Sequence, residues 1–519
     1  AGYVDRGAYE FQGVSSAPPL LAIASISTPG QELPNQISLQ FSSPIAVADA
    51  LNPSNYELRS AGPDHTLGTA DDLLHLLQPR YIPGQTTLNL DISAGSLPPD
   101  TYQLTVFSTP GGGVHDLAGF ALDGDRDGSP GGNYLASFTL YPTRLEFTSG
   151  PDIVYLRLAP SDPTLLQIFH NTSIDGIPTY SFPVAALSSL TLATLAGDDS
   201  ITLDFSYGSP IPSAGLALDA ATGSDNLRII GTASDDALSL KPARLFFGSS
   251  VITYDNLESI RLDTLAGDDT LTLTATLPFA PIFNPGDGSN TLSIRAGSYD
   301  FTSDNLPATS KLHLIAAGSS MLNLQLSPTF ASLSLANTAR VTLAPGSRLL
   351  QTQSLYIAST ATLDLTDGGL IVECPGQSAS VLAAISKYVR TGRNNGTWTG
   401  AGIISSVAKP TLHKGLATVL HDPAAKSVIR STLFTPPNVS AYVLVLYTWD
   451  GDVNCDGKVD IVDYFRVDAG FINQKPGYEN GDLNYDGKVN IADYALIDSA
   501  FISQRASRSV LAAPVPVWA

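Results

Sequence analysis

Two stretches of this sequence carry oxygen-bearing side chains at intervals that suit a hard cation. GDVNCDGKVDIVDYFRVDAGFINQ starts at Gly451 and GDLNYDGKVNIADYALIDSAFISQ at Gly481, and they align without a gap at 14 of 24 positions. In the first, Asp452, Asn454 and Asp456 stand at positions 1, 3 and 5 of a twelve-residue loop. Lys458 at position 7 offers its backbone carbonyl, Asp460 stands at position 9 and Asp463 at position 12. The second copy supplies Asp482, Asn484, Asp486, Lys488 (carbonyl), Asn490 and Asp493. Alternate residues of such a loop turn inward, so oxygens at 1, 3 and 5 converge on one calcium ion. Gly457 and Gly487 at position 6 permit the sharp turn. Val459 and Val489 at position 8 are expected to pair across the two loops. Without the ion the first loop's four carboxylates repel one another, so calcium affinity and folding should be coupled.

Each loop needs a helix to present position 12. Tyr464, Val467, Phe471 and Ile472 fall at i, i+3, i+7 and i+8, and Tyr494, Ile497, Phe501 and Ile502 repeat the set. This spacing predicts two amphipathic helices whose apolar stripes form the core of a pseudo-twofold pair. Position 12 is Asp in both copies where the common EF-hand has Glu, so each helix must approach its loop closely. Tandem loops of this form, each followed by one helix and preceded by none, resemble type I dockerin domains. The resemblance covers residues 450–505 and implies two calcium ions and a cohesin-like protein partner, in a setting of polysaccharide breakdown or surface assembly. Positions 10 and 11, often Ser-Thr in cellulosomal dockerins, are Ile461-Val462 and Ile491-Ala492 here. These apolar pairs could meet a partner or pack internally.

Upstream the sequence is mainly β. Over 17–141, Ile37, Leu39 and Phe41 alternate with polar residues, as do Leu88, Leu90 and Ile92, then Tyr102, Leu104 and Val106. Period-two alternation cut by Pro, Gly and Asp is the pattern of half-buried strands in a sandwich. With Leu97-Pro98-Pro99-Asp100-Thr101-Tyr102, Asp116-Leu117-Ala118-Gly119 and Gly131-Gly132-Asn133-Tyr134, this part resembles the Ig-like domains of bacterial S-layer proteins. Within it Asp123, Asp125 and Asp127 form a DxDxDG run that could hold a further calcium, although Tyr134 falls where a position-12 acid would stand. An acidic insertion spans Gly62 to Asp72. Residues 1–16, with Val4-Asp5-Arg6-Gly7-Ala8-Tyr9-Glu10, look like the end of a secreted β-helix module. The chain thus reads as the C-terminal part of a longer secreted protein.

Residues 142–370 read as a β-solenoid, with a string of β-sandwiches as the second reading. SLTLATLAGDDSITL from Ser189 recurs from Ser259 at an offset of 70, with 10 of 15 positions identical. Fixed-period repetition of this kind suggests stacked coils that bury their apolar faces on each other. The Gly197-Asp198-Asp199, Gly267-Asp268-Asp269 and Gly286-Asp287-Gly288 turns lack the GGxGxD run of calcium repeats. They are read as turns in which Asp accepts backbone N–H bonds. Residues 371–449 form a connecting module, with a helix over Ser380–Val389 and a strand over Ala441–Thr448, and 506–519 form a tail.

The composition agrees with this division. The net charge is −21, from 27 Lys and Arg against 48 Asp and Glu, with charged residues only 14% of the chain. Nucleic-acid binding needs clustered Lys and Arg, which are lacking. The longest apolar run, Ala441 to Tyr447, is too short to span a membrane. Residues 451 to 500 hold ten acids against four bases, so the calcium loops concentrate the negative charge. The histidines (His65, His75, His115, His170, His313, His413 and His421) show no metal-protease spacing, and no GxSxG, P-loop or dinucleotide fingerprint appears. No catalytic set is legible. The sequence leaves two classes: a non-catalytic secreted or cell-surface docking protein, or a glycoside hydrolase or polysaccharide lyase with its catalytic part upstream or in the solenoid groove.

Overall fold

The alternating residues at the start of the chain do become strands with one face inward. The structure, a computed structural model, describes residues 21–511 apart from 28–33, 63–65, 110, 307–310, 409–411, 426 and 430–438. The segment 1–16 assigned to a β-helix module, His65 and residues 512–519 of the tail lie outside these. Ile23–Ser27, Gln36–Phe41, Thr87–Ile92 and Leu77–Tyr81 make one four-stranded sheet, in that order. Tyr134–Thr139, Thr101–Val106, Tyr56–Ser60 and Leu73–His75 make the other. Ile37, Leu39, Phe41, Leu88, Leu90, Tyr102, Leu104 and Val106 are all buried in the core between them. The Tyr102 hydroxyl donates to the Pro98 carbonyl at 2.6 Å, a tyrosine-corner contact of the kind that ties Ig-like sandwiches. A one-turn helix, α1 (Val47–Ala50), links two of the strands.

The chain divides into two compact units, one made of residues 1–145 with 186–190 and the other of 146–185 with 191–519. The second unit opens as a two-sided solenoid. Ile153–Ala159, Ser200–Asp204, Asn226–Ile230 and Ser259–Asp263 stack in parallel on one side, so that Ile201, Leu227 and Ile260 are neighbours on one rung. On the other side Ala237–Lys241, Thr270–Leu273, Asn290–Ile294 and Leu312–Ala316 stack with Leu238, Leu271, Leu292 and Leu314 in line. The 70-residue repeat therefore does not mark whole coils. Ser200–Asp204 lies in one sheet while its repeat mate Thr270–Leu273 lies in the opposite one. The repeated unit is a strand–turn–strand half-coil, and its two copies cross the core in opposite directions. From Ser298 onward the solenoid becomes three-sided, with a new sheet through Tyr299, Leu322, Val341, Leu363 and Ile403.

Buried acids knit the coils at the turns. Asp152 N–H donates to Asp199 Oδ1, Asp199 N–H to Asp225 Oδ1, and Asp225 N–H to Glu258 Oε2. On the opposite edge Asp236 N–H donates to Asp269 and Asp269 N–H to Asn290. The exposed Asp198 and Asp268 accept from Ser224 and Ser289 N–H. This is the turn chemistry expected of the Gly197-Asp198-Asp199 and Gly267-Asp268-Asp269 motifs, whose acids satisfy backbone donors of neighbouring coils, whereas Asp287 of the third motif pairs with Lys311.

The solenoid ends in a mixed sheet. Gly369–Glu373 is followed by the antiparallel strands Tyr442–Trp449 and Lys414–His421. Helix α2 (Ser378–Arg393) precedes them, ends at the left-handed Asn394, and buries Ile385 and Val389. Helices α3 (Ile461–Asn473) and α4 (Ile491–Leu511) close the chain. None of the described helices is long and apolar enough to cross a membrane.

Candidate calcium centre

Loop and helix are locked together by the residues that the loop spacing marks as candidate ligands. Asp460 is the N-cap of α3: its side chain accepts from Val462 N–H at 2.8 Å, and Asp463 Oδ2 accepts in return from Asp460 N–H at 2.9 Å. The second loop repeats this reciprocal cap, with Asn490 accepting from Ala492 N–H and Asp493 accepting from Asn490 N–H. Positions 9 and 12 thus fix the first turn of each helix. Asp463 and Asp493 also reach back across their loops, accepting from Val453 and Leu483 N–H. Position 12 is brought onto the loop from the first turn of its helix, as the short Asp side chain requires.

Position 1 is buried in both loops: Asp452 is 0% and Asp482 4% exposed. Asp452 accepts from Asp456 and Gly457 N–H and from the Thr448 hydroxyl. Burial pushes its pKa up to about 6, against those hydrogen bonds. Asp463 rises to about 7, first through burial and then through the neighbouring Asp452, Asp456 and Asp460. Asp482 and Asp493 are raised for the same leading reason. Asp456 and Asn454 form the mouth of the first loop with Lys458, whose ammonium pairs with Asp460 and lies 3.6 Å from Asp456. In the second loop Asp486 and Lys488 are exposed, and Asp486 accepts from Lys488 N–H.

The residues fit a divalent cation. The donor set is hard oxygen, and among the described residues the position-1 carboxylates are buried without a cationic donor and Asp482 Oδ1 has no hydrogen-bond partner. Bound calcium would supply the positive charge that this desolvated set lacks.

The two halves pack by a pseudo-twofold relation. Tyr464 donates to Asp498 at 2.6 Å and Tyr494 donates to Asp468 at 2.5 Å, each pair repeating the other thirty residues along. Phe501 meets Tyr464 edge-on and Phe471 meets Tyr494 in the same way. Gly451 and Gly481, at φ +96° and +102°, lie against Ile497 and Val467 respectively. The symmetry stops at position 8. Val459 N–H and C=O both bond the buried amide of Gln504, at 2.8 and 3.0 Å, in place of the expected pairing with Val489. Sequence reasoning missed Gln504, because the repeat aligns it with Gln474, which instead bonds its own helix end.

Residues 450–502 match the Dockerin type I domain. This is a calcium-binding module that docks onto cohesin domains. Among solved structures, the chain is similar to the S-layer protein rSbsC(31-844), with 14% identity and a TM-score of 0.17, over 31% of this chain and 19% of that one. Surface layer protein SbsC, domains 1-6, matches with 13% identity and a TM-score of 0.18, over 35% and 26%. The chain thus spans about a fifth to a quarter of the length of these two. No curated protein matches the chain.

The apolar stripes of the dockerin helices are only partly core. Val467 and Ile497 are fully buried, but Phe471 (46% exposed), Ile472 (76%) and Ile502 (67%) face outward. Within these stripes the fully buried positions are the two that the pseudo-twofold packing sets against Gly451 and Gly481. Ile461 (79%), Val462 (49%) and Ile491 (81%), at the recognition positions, are also exposed.

Elsewhere, Asp123, Asp125 and Asp127 bring one oxygen each within 4.8 Å of the others, with Asp123 buried and the other two exposed. Asp127 N–H donates to Asp123 and Ser129 N–H to Asp127, as in a closed acidic turn. The acidic insertion is held by Asp72, which accepts from Gly68 N–H. On the solenoid, burial would raise Asp263, but Arg261, Arg228 and Asn284 hold it below its usual range. Asp364 pairs with Arg340 and Asp204 accepts from Tyr155. These acids are occupied by neighbours on their own sheets. Cys374 and Cys455 are buried free thiols.

Proposed function

We propose that this is a secreted or cell-surface docking protein whose C-terminal dockerin holds two calcium ions and presents two helix faces to a cohesin-like partner. The first ion is held by Asp452, Asn454, Asp456, the Lys458 carbonyl, Asp460 and Asp463. The second is held by Asp482, Asn484, Asp486, the Lys488 carbonyl, Asn490 and Asp493. The Ig-like and solenoid parts act as spacer or adhesive modules, and the process served is polysaccharide breakdown or surface assembly.

The observation that carries this reading is the outward exposure of Ile461, Val462 and Ile491 at the first turns of the two loop-anchored helices. Large apolar side chains left exposed at the first turns of the helices, on a module whose own core lies elsewhere, suit a partner's groove. The test is calorimetric titration of the chain with calcium, then of the calcium-loaded chain with a panel of cohesins. Two calcium ions should bind, and cohesin binding should vanish in chelator. Ile461→Asp with Ile491→Asp should abolish cohesin binding while leaving calcium binding intact. Absence of calcium uptake would overturn the proposal, and assays on plant and algal polysaccharides would expose an enzyme if one is present.

A further inference from the structure

The dockerin does not hang from the solenoid on a free linker. Only Asp450 and Gly451 separate the last strand, Tyr442–Trp449, from the first ligand position, Asp452. That strand and its neighbour Lys414–His421 have both faces covered: Tyr442 to Leu446 are buried without a break, and so are Gly415 to Val419. A strand at the end of a solenoid is buried on both faces only when a second layer lies over it. Helix α2 packs against these strands, and the dockerin turn Tyr478–Asn480 packs against Lys414–His421.

Further contacts come from the calcium loops themselves. Tyr485, at position 4 of the second loop, donates its hydroxyl to the Leu416 carbonyl at 2.7 Å and lies 3.0 Å from the Thr418 hydroxyl. Cys455, at position 4 of the first loop, is wholly buried. Thr448, in the last strand, donates to the ligand-position carboxylate of Asp452, and Arg393 at the end of α2 donates to the Asn484 carbonyl. Tyr478, between the loops, bonds Gly451 N–H and the Trp449 carbonyl and stacks on Tyr485. Position 4 takes a left-handed backbone in both loops, φ +57° at Cys455 and +62° at Tyr485. Non-glycine residues adopt that conformation uncommonly. It turns position 4 away from positions 1, 3 and 5, so that a loop closed on an ion aims its fourth side chain at the sheet.

We propose that the dockerin has a second function, as a calcium-dependent cap that closes the open end of the solenoid. The inference rests on the calcium reading above. With the loops filled, Tyr485 and Cys455 are held against the terminal sheet; with the loops empty, that sheet loses its outer layer and frays. Partner docking and end-capping use different faces of the module, since Ile461 and Ile491 point to solvent while position 4 is buried.

The test uses the intact chain in 2 mM calcium and in excess chelator, with calcium stoichiometry measured by calorimetry. Hydrogen exchange is followed over residues 414–421 and 442–449, and the reactivity of Cys455 is read with Ellman's reagent in a Cys374→Ser background. Chelation should raise exchange in both strands and speed Cys455 modification at least tenfold. Tyr485→Ala should still bind two ions yet show poorly protected strands with or without calcium. If Cys374→Ser fails to fold, exchange on the unaltered chain decides. Two bound ions with strand protection indifferent to calcium would overturn the cap and leave the calcium reading standing. No bound calcium would overturn both.

Discussion

Replacing Gly481 by Ala tests the packing of the dockerin seam, and its cost can be worked from two separate causes. Gly481 has φ +102° and ψ 8°, a conformation that an L side chain resists at about 1–2 kcal/mol. A Cβ added there would lie 2.9 Å from Val467 Cα and 3.0 Å from both of its methyls. Carbon atoms pack at about 3.5–4.0 Å, so helix α3 must yield, and overpacking of this kind costs about 1–3 kcal/mol. Together the loss is about 2–5 kcal/mol, or roughly thirty-fold to a few thousand-fold in the opening equilibrium of the module. Gly487→Ala provides the internal control. Its φ is +92° but no atom lies within 4 Å of the added Cβ, so only the conformational part, about 1–2 kcal/mol, applies. Native-state hydrogen exchange of the α3 and α4 amides at saturating calcium reads both as local opening free energies. A Gly481→Ala cost no larger than that of Gly487→Ala would refute the close approach to Val467.

Four further outcomes follow from named contacts. Gln504→Ala strips both partners from Val459, whose buried N–H and C=O then stand unpaired; a loss of about 2–4 kcal/mol and fast exchange at the Val459 amide are expected. Tyr464→Phe and Tyr494→Phe each remove one pseudo-symmetric hydroxyl–carboxylate bond, and each should lower dockerin stability by about 0.5–1.5 kcal/mol in thermal unfolding. In the solenoid, Leu271→Ala empties a fully buried rung position and should cost about 2–5 kcal/mol in denaturant titration. Asp225 has its pKa raised, first by burial and then by Asp199, Glu258 and Asp198, so its favourable contribution is complete below the usual value of 3.8 and lost as pH rises through the raised value. Asp225→Asn keeps the acceptor for Asp199 N–H, as Asn290 does for Asp269, and should raise the Tm at pH 8 but give no gain at pH 3.5.

The parts that local chemistry dictates are legible in the sequence. Loop ligands, turn glycines and helix caps lie within a dozen residues of one another, so spacing alone places Asp460 and Asp463 at the start of their helix. Period-two alternation likewise places Ile37, Leu39 and Phe41 in a sandwich core. The half-coil meaning of the 70-residue repeat is not legible, because alternation gives a strand its two faces but not the sheet it joins.

Sequence by itself determined that this chain is mainly β, that two loops between Asp452 and Asp493 carry oxygen donors at calcium-loop spacing, and that this segment matches a dockerin. Tertiary structure decided what the loops rest on. Tyr485 meets Leu416 and Thr418 across 69 and 67 residues of chain, and Gln504 meets Val459 across 45. Contacts at such separations leave no periodic trace, since they depend on how distant segments are brought together rather than on neighbouring residues. The same placement sorted the apolar residues of the helices, burying Val467 and Ile497 in the seam while Ile461 and Ile491 stayed in water. Helical periodicity marks a stripe as apolar; only the surfaces packed around it decide which part is core and which is left for a partner.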